Sequence, residues 1–426
     1  MKPNRLTVLV DGQVIGQLTQ RAGGKLELQY DDAWRRMPEA FPLSLSMPLA
    51  AARHTDPTIR PYLRGLLPEN PLVLDRWARQ FQVSAGNPFA LLSYVGEDCP
   101  GAVQFARPDR VTALLDARRP EIAWLTTADL AARIHQLRID QAAWRSPNDT
   151  GQFSLAGAQP KTALLYDGRR YGVPTGRVPT THILKPPQPE LDGHAENEHL
   201  CLGLARALGM PSAHSTVQRF DDEVAIVVER YDRARVSRRW HRIHQEDMCQ
   251  ALSVSPSSKY QSEGGPSPSR IIELLRTYSS RAHDDIRTFT DALIFNWLIA
   301  GTDAHAKNYS LLIGASGRVR LAPLYDLASA YAYPHFQARK LKLAMKIGGR
   351  YRLQEIDLRR WQAFAREARV DDDALLSRAA AMASAIPDEF ATLRKQAGRE
   401  GVKHPALERL QTALTRQCLR CAERLR

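Results

Sequence analysis

Asp303 and Asn308 stand in the spacing D-x-x-x-x-N within G-T-D-A-H-A-K-N-Y-S. A carboxylate and an amide placed this way suit phosphoryl transfer. In a protein-kinase catalytic loop the Asp accepts the proton of the attacking hydroxyl and the Asn holds magnesium. A second carboxylate, Asp326, follows in P-L-Y-D. It fits the other metal-binding role, because hard oxygen ligands suit a magnesium ion that bridges the phosphates of ATP. The same spacing also occurs in loops where Asp and Asn merely cap turns. A helix, a loop, a hairpin and a second Asp in sequence favour the chemistry.

Those positioning elements are readable. Phe289, Leu293, Ile294, Trp297 and Leu298 recur at helical spacing, and the pattern stops at Gly301, a residue suited to a helix C-cap. A polar loop with Asp303, His305, Lys307 and Asn308 follows. Short strand patterns at 309–313 and 319–321, joined by a Gly/Ser turn, return the chain to Asp326.

Upstream, F-S-L-A-G-A-Q-P-K-T-A-L-L (153–165) places the small residues Ala156, Gly157 and Ala158 before Lys161 and an apolar strand. Small residues let backbone N–H groups approach phosphates closely. Neither G-x-x-x-x-G-K-[ST] nor G-x-G-x-x-G is present, and Pro160 removes one backbone donor from the loop. T-H-I-L-K ends a strand at Lys185, which suits contact with ATP phosphates. Glu196 and Glu198 lie on the next helical stretch (196–208), and either could orient that lysine. An apolar strand at 223–228 runs into Glu229, Arg230 and Tyr231, placed as the hinge that holds adenine, with Tyr231 suited to pack on the ring.

Residues 1–108 read as a small α+β domain with no catalytic constellation of its own. It opens on a hairpin turning at Asp11-Gly12 and carries G-L-L-P-E-N before a helix at 71–82. A short helix at 128–137 lies in the linker. The expected division is 1–108, a lobe at 109–235 with phosphate loop and hinge, and a helical lobe at 236–426 with the catalytic loop. The Ser-, Pro- and Gly-rich stretch 253–269 has the composition of a mobile loop.

The 426 residues are 43% hydrophobic and 25% charged, ordinary for a globular protein with a large core. Nothing reads as a signal peptide or membrane span, so no membrane partner is expected. Five cysteines spread through the chain argue for a reducing cytoplasm, and the lone C-x-x-C at Cys418 and Cys421 lacks a second pair for zinc. The 59 Lys and Arg against 46 Asp and Glu give a net charge of +13, which favours an anionic partner. Arg339, Lys340, Lys342, Lys346, Arg350, Arg352, Arg359 and Arg360 concentrate that charge.

F-S-L-A-G-A-Q-P-K-T-A, T-H-I-L-K, E-N-E-H-L, V-E-R-Y-D-R, K-Y-Q-S-E-G-G-P, G-T-D-A-H-A-K-N-Y-S-L and P-L-Y-D-L-A-S occur in this order. Together they resemble the HipA family of serine/threonine kinase toxins, over nearly the whole chain. The resemblance implies an α+β protein: a small N-terminal α/β subdomain, then a bilobed protein-kinase-like core with a mostly helical C-terminal lobe. It implies the toxin of a type II toxin–antitoxin system that phosphorylates an aminoacyl-tRNA synthetase, typically the glutamyl enzyme, stalls translation and arrests growth. The implied partner is a HipB-like helix-turn-helix antitoxin on operator DNA, in the cytoplasm and on the nucleoid when bound there. Carried over, Asp303 resembles the catalytic base, and Asn308 and Asp326 the magnesium ligands. Ala156, Gly157, Ala158, Gln159, Pro160 and Lys161 resemble the phosphate loop, and Lys185 the phosphate-contacting lysine. Glu229, Arg230 and Tyr231 resemble the hinge. His305, Ala306, Lys307 and Tyr325 fall where the nucleotide site is lined. Ser154 matches the family's autophosphorylated serine. Two other readings stay open: a kinase of small molecules, and a DNA-bound corepressor with secondary kinase activity.

Overall fold

The computed structural model describes residues 4–116, 122–146, 149, 152–188, 190–237 and 239–425. The chain divides into two compact units. One holds Met1–Pro186, Arg219–Ser257 and Leu311–Val319; the other holds Pro187–Gln218, Ser258–Ser310 and Arg320–Arg426. Helix and sheet are mixed, the α+β class expected.

The two largest sheets lie in the first unit. One runs in the order Arg53–Thr55, Leu26–Tyr30, Gln13–Gln20, Arg5–Val10, Val103–Ala106. Its first hairpin turns at Asp11 (φ 45°) and Gly12 (φ 82°), and two left-handed residues match the twist of the strands they join. The other runs Ser215–Phe220, Glu223–Glu229, His182–Lys185, Thr162–Tyr166, Tyr171–Pro174, Ile122–Trp124, and the chain returns to this unit partway along its edge strand Ser215–Phe220. Lys185 pairs with Ile226, and Leu184 with Thr162. Val8, Leu28 and Phe105 from the first sheet share one apolar core with Leu164, Leu184 and Val227 from the second. Area removed from water, at about 25 cal/mol per Å², therefore stabilises both sheets together.

A buried acid joins the N-terminal region to the strand His244–Asp247. Glu246 is 1% exposed. It accepts the Ser44 hydroxyl (2.5 Å) and the Leu45 N–H (2.8 Å). Burial pushes its carboxyl up to about 8, against those two hydrogen bonds and with help from Asp247. His244 beside it accepts from the Ala102 N–H and faces the Leu43 carbonyl; burial lowers it to about 4, so it is neutral at ordinary pH.

The second unit is mainly helical: His194–Ala207, Pro268–Tyr278, Ala282–Ile299, Leu358–Ala368, Asp372–Arg399 and Pro405–Arg424. From Phe289 onward the helix Ala282–Ile299 is buried on every side. Such a helix needs neighbours all round. Trp361 stands edge-on to Trp297 at 5.6 Å, and the Trp297 Nε1–H donates to the Leu353 carbonyl. Cys418 and Cys421 lie inside this packing, and burial pushes both thiols up to about 12, outside the reactive range. Among the described residues no group of three His, Cys, Asp or Glu could hold a metal, and no helix is long and apolar enough to cross a membrane. The hairpin Lys342–Ile347 and Arg350–Arg352 exposes Lys342, Lys346, Arg350 and Arg352.

Glu246 supplies a pH test of this packing. The folded chain holds its proton between the ordinary value of 4.5 and about 8, whereas the unfolded chain releases it. Stability from this group is therefore full below 4.5 and falls as pH rises through 8. Thermal unfolding of Glu246→Gln between pH 5 and 9 should show that part of the decline removed. An unchanged slope would count against a buried proton here.

Candidate functional site

The residues expected to carry chemistry fall in both units. Asp303, His305, Ala306, Lys307, Asn308, Tyr325 and Asp326 lie in the second; 154–161, Lys185 and Glu229, Arg230 and Tyr231 lie in the first.

In the second unit, the helix Ala282–Ile299 ends on Ala300, not on Gly301, as its left-handed residue (φ 53°, ψ 48°). The Gly301 N–H then donates back to the Asn296 carbonyl at 2.8 Å. Gly301 is required for a different reason. A Cβ there would come within 2.0 Å of the Asn296 side-chain oxygen. Asn296 is 3% exposed, and its amide donates to the Ala292 carbonyl (2.9 Å) and the Tyr309 hydroxyl (3.2 Å). One amide thus ties the helix end to the start of the hairpin on either side of the polar loop.

The loop is a closed turn. The Asp303 carbonyl accepts the His305 N–H at 2.8 Å and the Asn308 amide at 2.9 Å. A carbonyl only accepts, so the Asn308 atom facing it is the NH2 group, and the amide oxygen points elsewhere. The Asp303 side chain is 67% exposed, with His305 Nε2 4.0 Å from its Oδ1 and the Tyr260 hydroxyl donating to that same oxygen. The residues between form a single 3-10 turn, Ala306–Asn308, whose Lys307 carbonyl accepts the Tyr325 hydroxyl at 2.6 Å. The Tyr325 oxygen also lies 2.7 Å from the Ser310 hydroxyl.

Asp326 is exposed and takes a left-handed backbone, φ 57°. Asp tolerates that region better than most residues, but it persists where flanking structure over-determines it. The flanks do so here. Leu324 exchanges backbone hydrogen bonds with Pro211 and Ala213, both at 2.8 Å. Asn197, fully buried, accepts the Ser329 N–H (3.1 Å) and donates to the Ser329 carbonyl (2.9 Å). Earlier, Asp285 on the long helix grips Arg320 and accepts the Leu321 N–H at 2.8 Å. Asn197 stands inside the motif E-N-E-H-L but was given no role there, and nothing in the sequence marked Asn296 or Asp285. An amide within a helix reads as surface until its partners are known.

In the first unit, the segment at 153–161 packs against G-L-L-P-E-N. The Glu69 N–H donates to the Gly157 carbonyl at 3.0 Å, and the Ser154 hydroxyl donates to the Leu66 carbonyl at 2.7 Å. Ser154 is fully buried. Lys161 folds back on its own loop, with Nζ 2.8 Å from the Ala156 carbonyl and over the Trp144 ring at 5.1 Å. Gln159 keeps its amide nitrogen buried with no hydrogen-bond partner among the described residues, and Pro160 is buried beside it. The first hundred residues thus contribute to this loop, which their sequence did not suggest.

Lys185 is 7% exposed at the end of its strand. Of the residues expected to form a hinge, Glu229 is exposed and Tyr231 donates its hydroxyl to Gln245. Arg230 is 4% exposed, and its guanidinium bonds Asp232, the Thr180 hydroxyl and the Cys99 carbonyl. Arg233 likewise bonds Asp98 at 2.8 Å. Burial raises the Asp98 carboxyl, but Arg233, Arg230, Arg242 and the Thr180 hydroxyl outweigh it and hold the acid well below its usual range.

A magnesium ion bound with nucleotide needs few protein ligands, because phosphates and water supply the rest. The donors here fit that demand: Asp326 offers a carboxylate and Asn308 an amide oxygen, both hard.

Known proteins resemble this chain over most of its length. A HipA N-terminal domain family model matches residues 6–106, and a HipA-like C-terminal domain model matches 153–390. The chain is 40% identical to a putative kinase, Y4mE, of Sinorhizobium fredii, over 86% of each chain. It is 30% identical to the serine/threonine-protein kinase toxin HipA of Shewanella oneidensis, over 89% of this chain and 86% of that protein. A solved structure of the Shewanella oneidensis toxin–antitoxin system, HipA with HipB and operator DNA, matches with TM-score 0.84 and 28% identity over 99% of this chain and 98% of that one.

Asn197→Ala should cost about 2 kcal/mol or more, because it strands a buried N–H and a carbonyl. It should also loosen the segment after Asp326. Asp326→Asn keeps the left-handed backbone but removes the charge. Calorimetry should show the first variant destabilised and the second near wild type, with only the second keeping a full fold yet losing the thermal shift induced by magnesium and ATP.

Proposed function

The chain belongs to the HipA family of serine/threonine kinases, and from that premise we propose an ATP- and magnesium-dependent protein kinase that acts as the toxin of a toxin–antitoxin pair. The observation that carries the site assignment is the closed turn in which the Asp303 carbonyl holds both the His305 N–H and the Asn308 amide. That turn leaves the Asp303 carboxylate exposed. Asp303 accepts the proton of an attacking serine hydroxyl as the serine oxygen bonds to the γ-phosphorus and the bond to the β-bridging oxygen breaks, releasing the nucleoside diphosphate. Asn308 and Asp326 would hold magnesium, which when bound would supply positive charge to offset that of the transferring phosphoryl group. Lys185 and the backbone of Ala156, Gly157, Ala158, Gln159 and Lys161 contact the phosphates; Pro160 contributes no N–H. Glu229 and Tyr231 face the adenine. Arg230 steadies that hinge through its bonds to Asp232 and Thr180. His305, Ala306, Lys307 and Tyr325 shape the rest of the nucleotide site.

The proposed acceptor is a serine of an aminoacyl-tRNA synthetase, the glutamyl enzyme first, so that translation stops. The proposed partner is a HipB-like antitoxin on operator DNA, which would place the complex on the nucleoid. The basic hairpin supports a contact with DNA. Lys342 and Arg352 pair directly across it, and like charges so placed are unfavourable until an anion offsets them.

Ser154 is proposed as an autophosphorylation site that switches the kinase off. Its hydroxyl is buried on the Leu66 carbonyl. A phosphate there would bring a charge of roughly −1.5 to −2 into that packing. The modified serine must therefore leave, and the loop that follows it leaves too.

Purified protein incubated with ATP, magnesium and cell lysate should phosphorylate a synthetase and Ser154. Asp303→Ala should lower transfer by about a hundredfold or more, as expected for loss of a general base. Transfer that survives Asp303→Ala and Asp326→Ala would refute the assignment. Ser154→Glu should lose activity and ATP affinity together; a mimic that binds ATP normally and stays active would refute the switch.

A further inference from the structure

The tyrosine of K-Y-Q-S-E-G-G-P reaches the proposed base. The Tyr260 hydroxyl donates to Asp303 Oδ1. Its ring stands edge-on to His305 with centroids 5.0 Å apart, and His305 Nε2 lies 4.0 Å from that same oxygen. Lys259 Nζ sits 5.4 Å over the Tyr260 ring, while the Lys259 carbonyl accepts the Ala306 N–H at 3.4 Å.

Composition led to the expectation of a mobile loop here, but residues 258–265 are tightly folded. The Gly265 N–H donates to the Tyr260 carbonyl at 2.9 Å. A Cβ on Gly265 would meet the carbonyls of Ser258, Tyr260 and Lys259 at 2.5, 2.7 and 2.8 Å, so only glycine fits. Gln261 accepts the Lys346 N–H at 2.7 Å, which ties the turn to the strand Lys342–Ile347. The backbone thus presents the phenol to the carboxylate from a fixed support.

We propose that Tyr260 is a specificity-determining residue: its hydroxyl occupies the Asp303 carboxylate until the hydroxyl of a protein acceptor takes its place. The inference rests on Asp303 being the base. A carboxylate exposed beside a bound triphosphate can serve water as well as serine. In the idle reaction, water gives a proton to Asp303, its oxygen bonds to the γ-phosphorus, and the bond to the β-bridging oxygen breaks to release the diphosphate. A phenol O–H donated to Oδ1 competes with water for that oxygen. A serine hydroxyl delivered by a docked protein has a far higher effective concentration than Tyr260 can resist. The exchange of one O–H donor for another makes protein docking the condition for activating the base.

Two readouts test this. In nucleotide-free protein, a 3-fluorotyrosine placed at position 260 should give a fluorine NMR signal that moves when Asp303→Asn is introduced. With magnesium and ATP but no protein acceptor, Tyr260→Phe should release inorganic phosphate about tenfold faster than wild type, the order expected when one hydrogen bond to a charged group is removed. Phe keeps the ring against His305, and Tyr260→Leu gives a second hydroxyl-free variant should Tyr260→Phe unfold. A fluorine signal indifferent to Asp303→Asn, or hydroxyl-free variants no faster than wild type, would overturn the proposal. A wild-type protein inert toward ATP and toward protein acceptors, with the fluorine signal still responsive, would sink the kinase reading and the gate with it.

Discussion

Five buried ionisable groups, Asp98 and Asp232 with Arg230, Arg233 and Arg242, set the geometry of the first unit. Each is 6% exposed or less. Taking such groups out of water is unfavourable, and only close opposite charge offsets it. The balance is visible in the groups themselves. Burial and the neighbouring Arg230 pull Arg233 down to about 10, while Asp232 stays below its usual range despite burial, held there by Arg230 and Arg233. Removing any one partner would strand a charge, at a cost of about 3–5 kcal/mol. Residues 98–101, Thr180 and 230–233 therefore hold one arrangement. The Asp98 carbonyl also takes the Ser154 N–H at 2.9 Å, so the segment 154–161 starts from the same fixed point as residues 230–233.

The second unit reaches similar rigidity around its loop with neutral groups. Asn296 spans the helix end and Tyr309; Asn197 spans its own helix and Ser329. An amide offers a donor and an acceptor without net charge. It can fix backbone near Asp303 and Asp326 without adding a field that competes for a cation. Asp285 is the exception, and its charge is matched by Arg320.

The regular elements were legible because periodicity is a local signal. The hairpin at Asp11-Gly12, the strand ending at Lys185 and the helix before Asp303 all stand where the pattern put them. Spacing and motif singled out Asp303, Asn308 and Asp326 as candidates for the chemistry. Their supports were not. Asn197, Asn296 and Asp285 act through partners distant in sequence or through backbone atoms, which carry no sequence signature. Gly301 was noticed for the wrong property: it makes room for Asn296, while Ala300 takes the left-handed turn. The 253–269 stretch looked mobile because Ser, Pro and Gly dominate it, yet three carbonyls converge on Gly265 and fold part of it tightly. Composition reports what a backbone tolerates, not what its hydrogen bonds impose.

The contact between Glu69 and Gly157 bears on how this protein can be divided. Family models break the chain after residue 106 and resume at 153, which invites treating the ends as interchangeable modules. The interior does not respect that break, since Phe105, Leu164 and Leu184 lie in one core. A fragment lacking the first hundred residues would expose the apolar face of its own sheet and leave the Gly157 carbonyl without its donor. The inherited segments are two, but the smallest piece that can fold around this loop contains both. Recombination among relatives would have to exchange them together, or carry compensating changes at the seam.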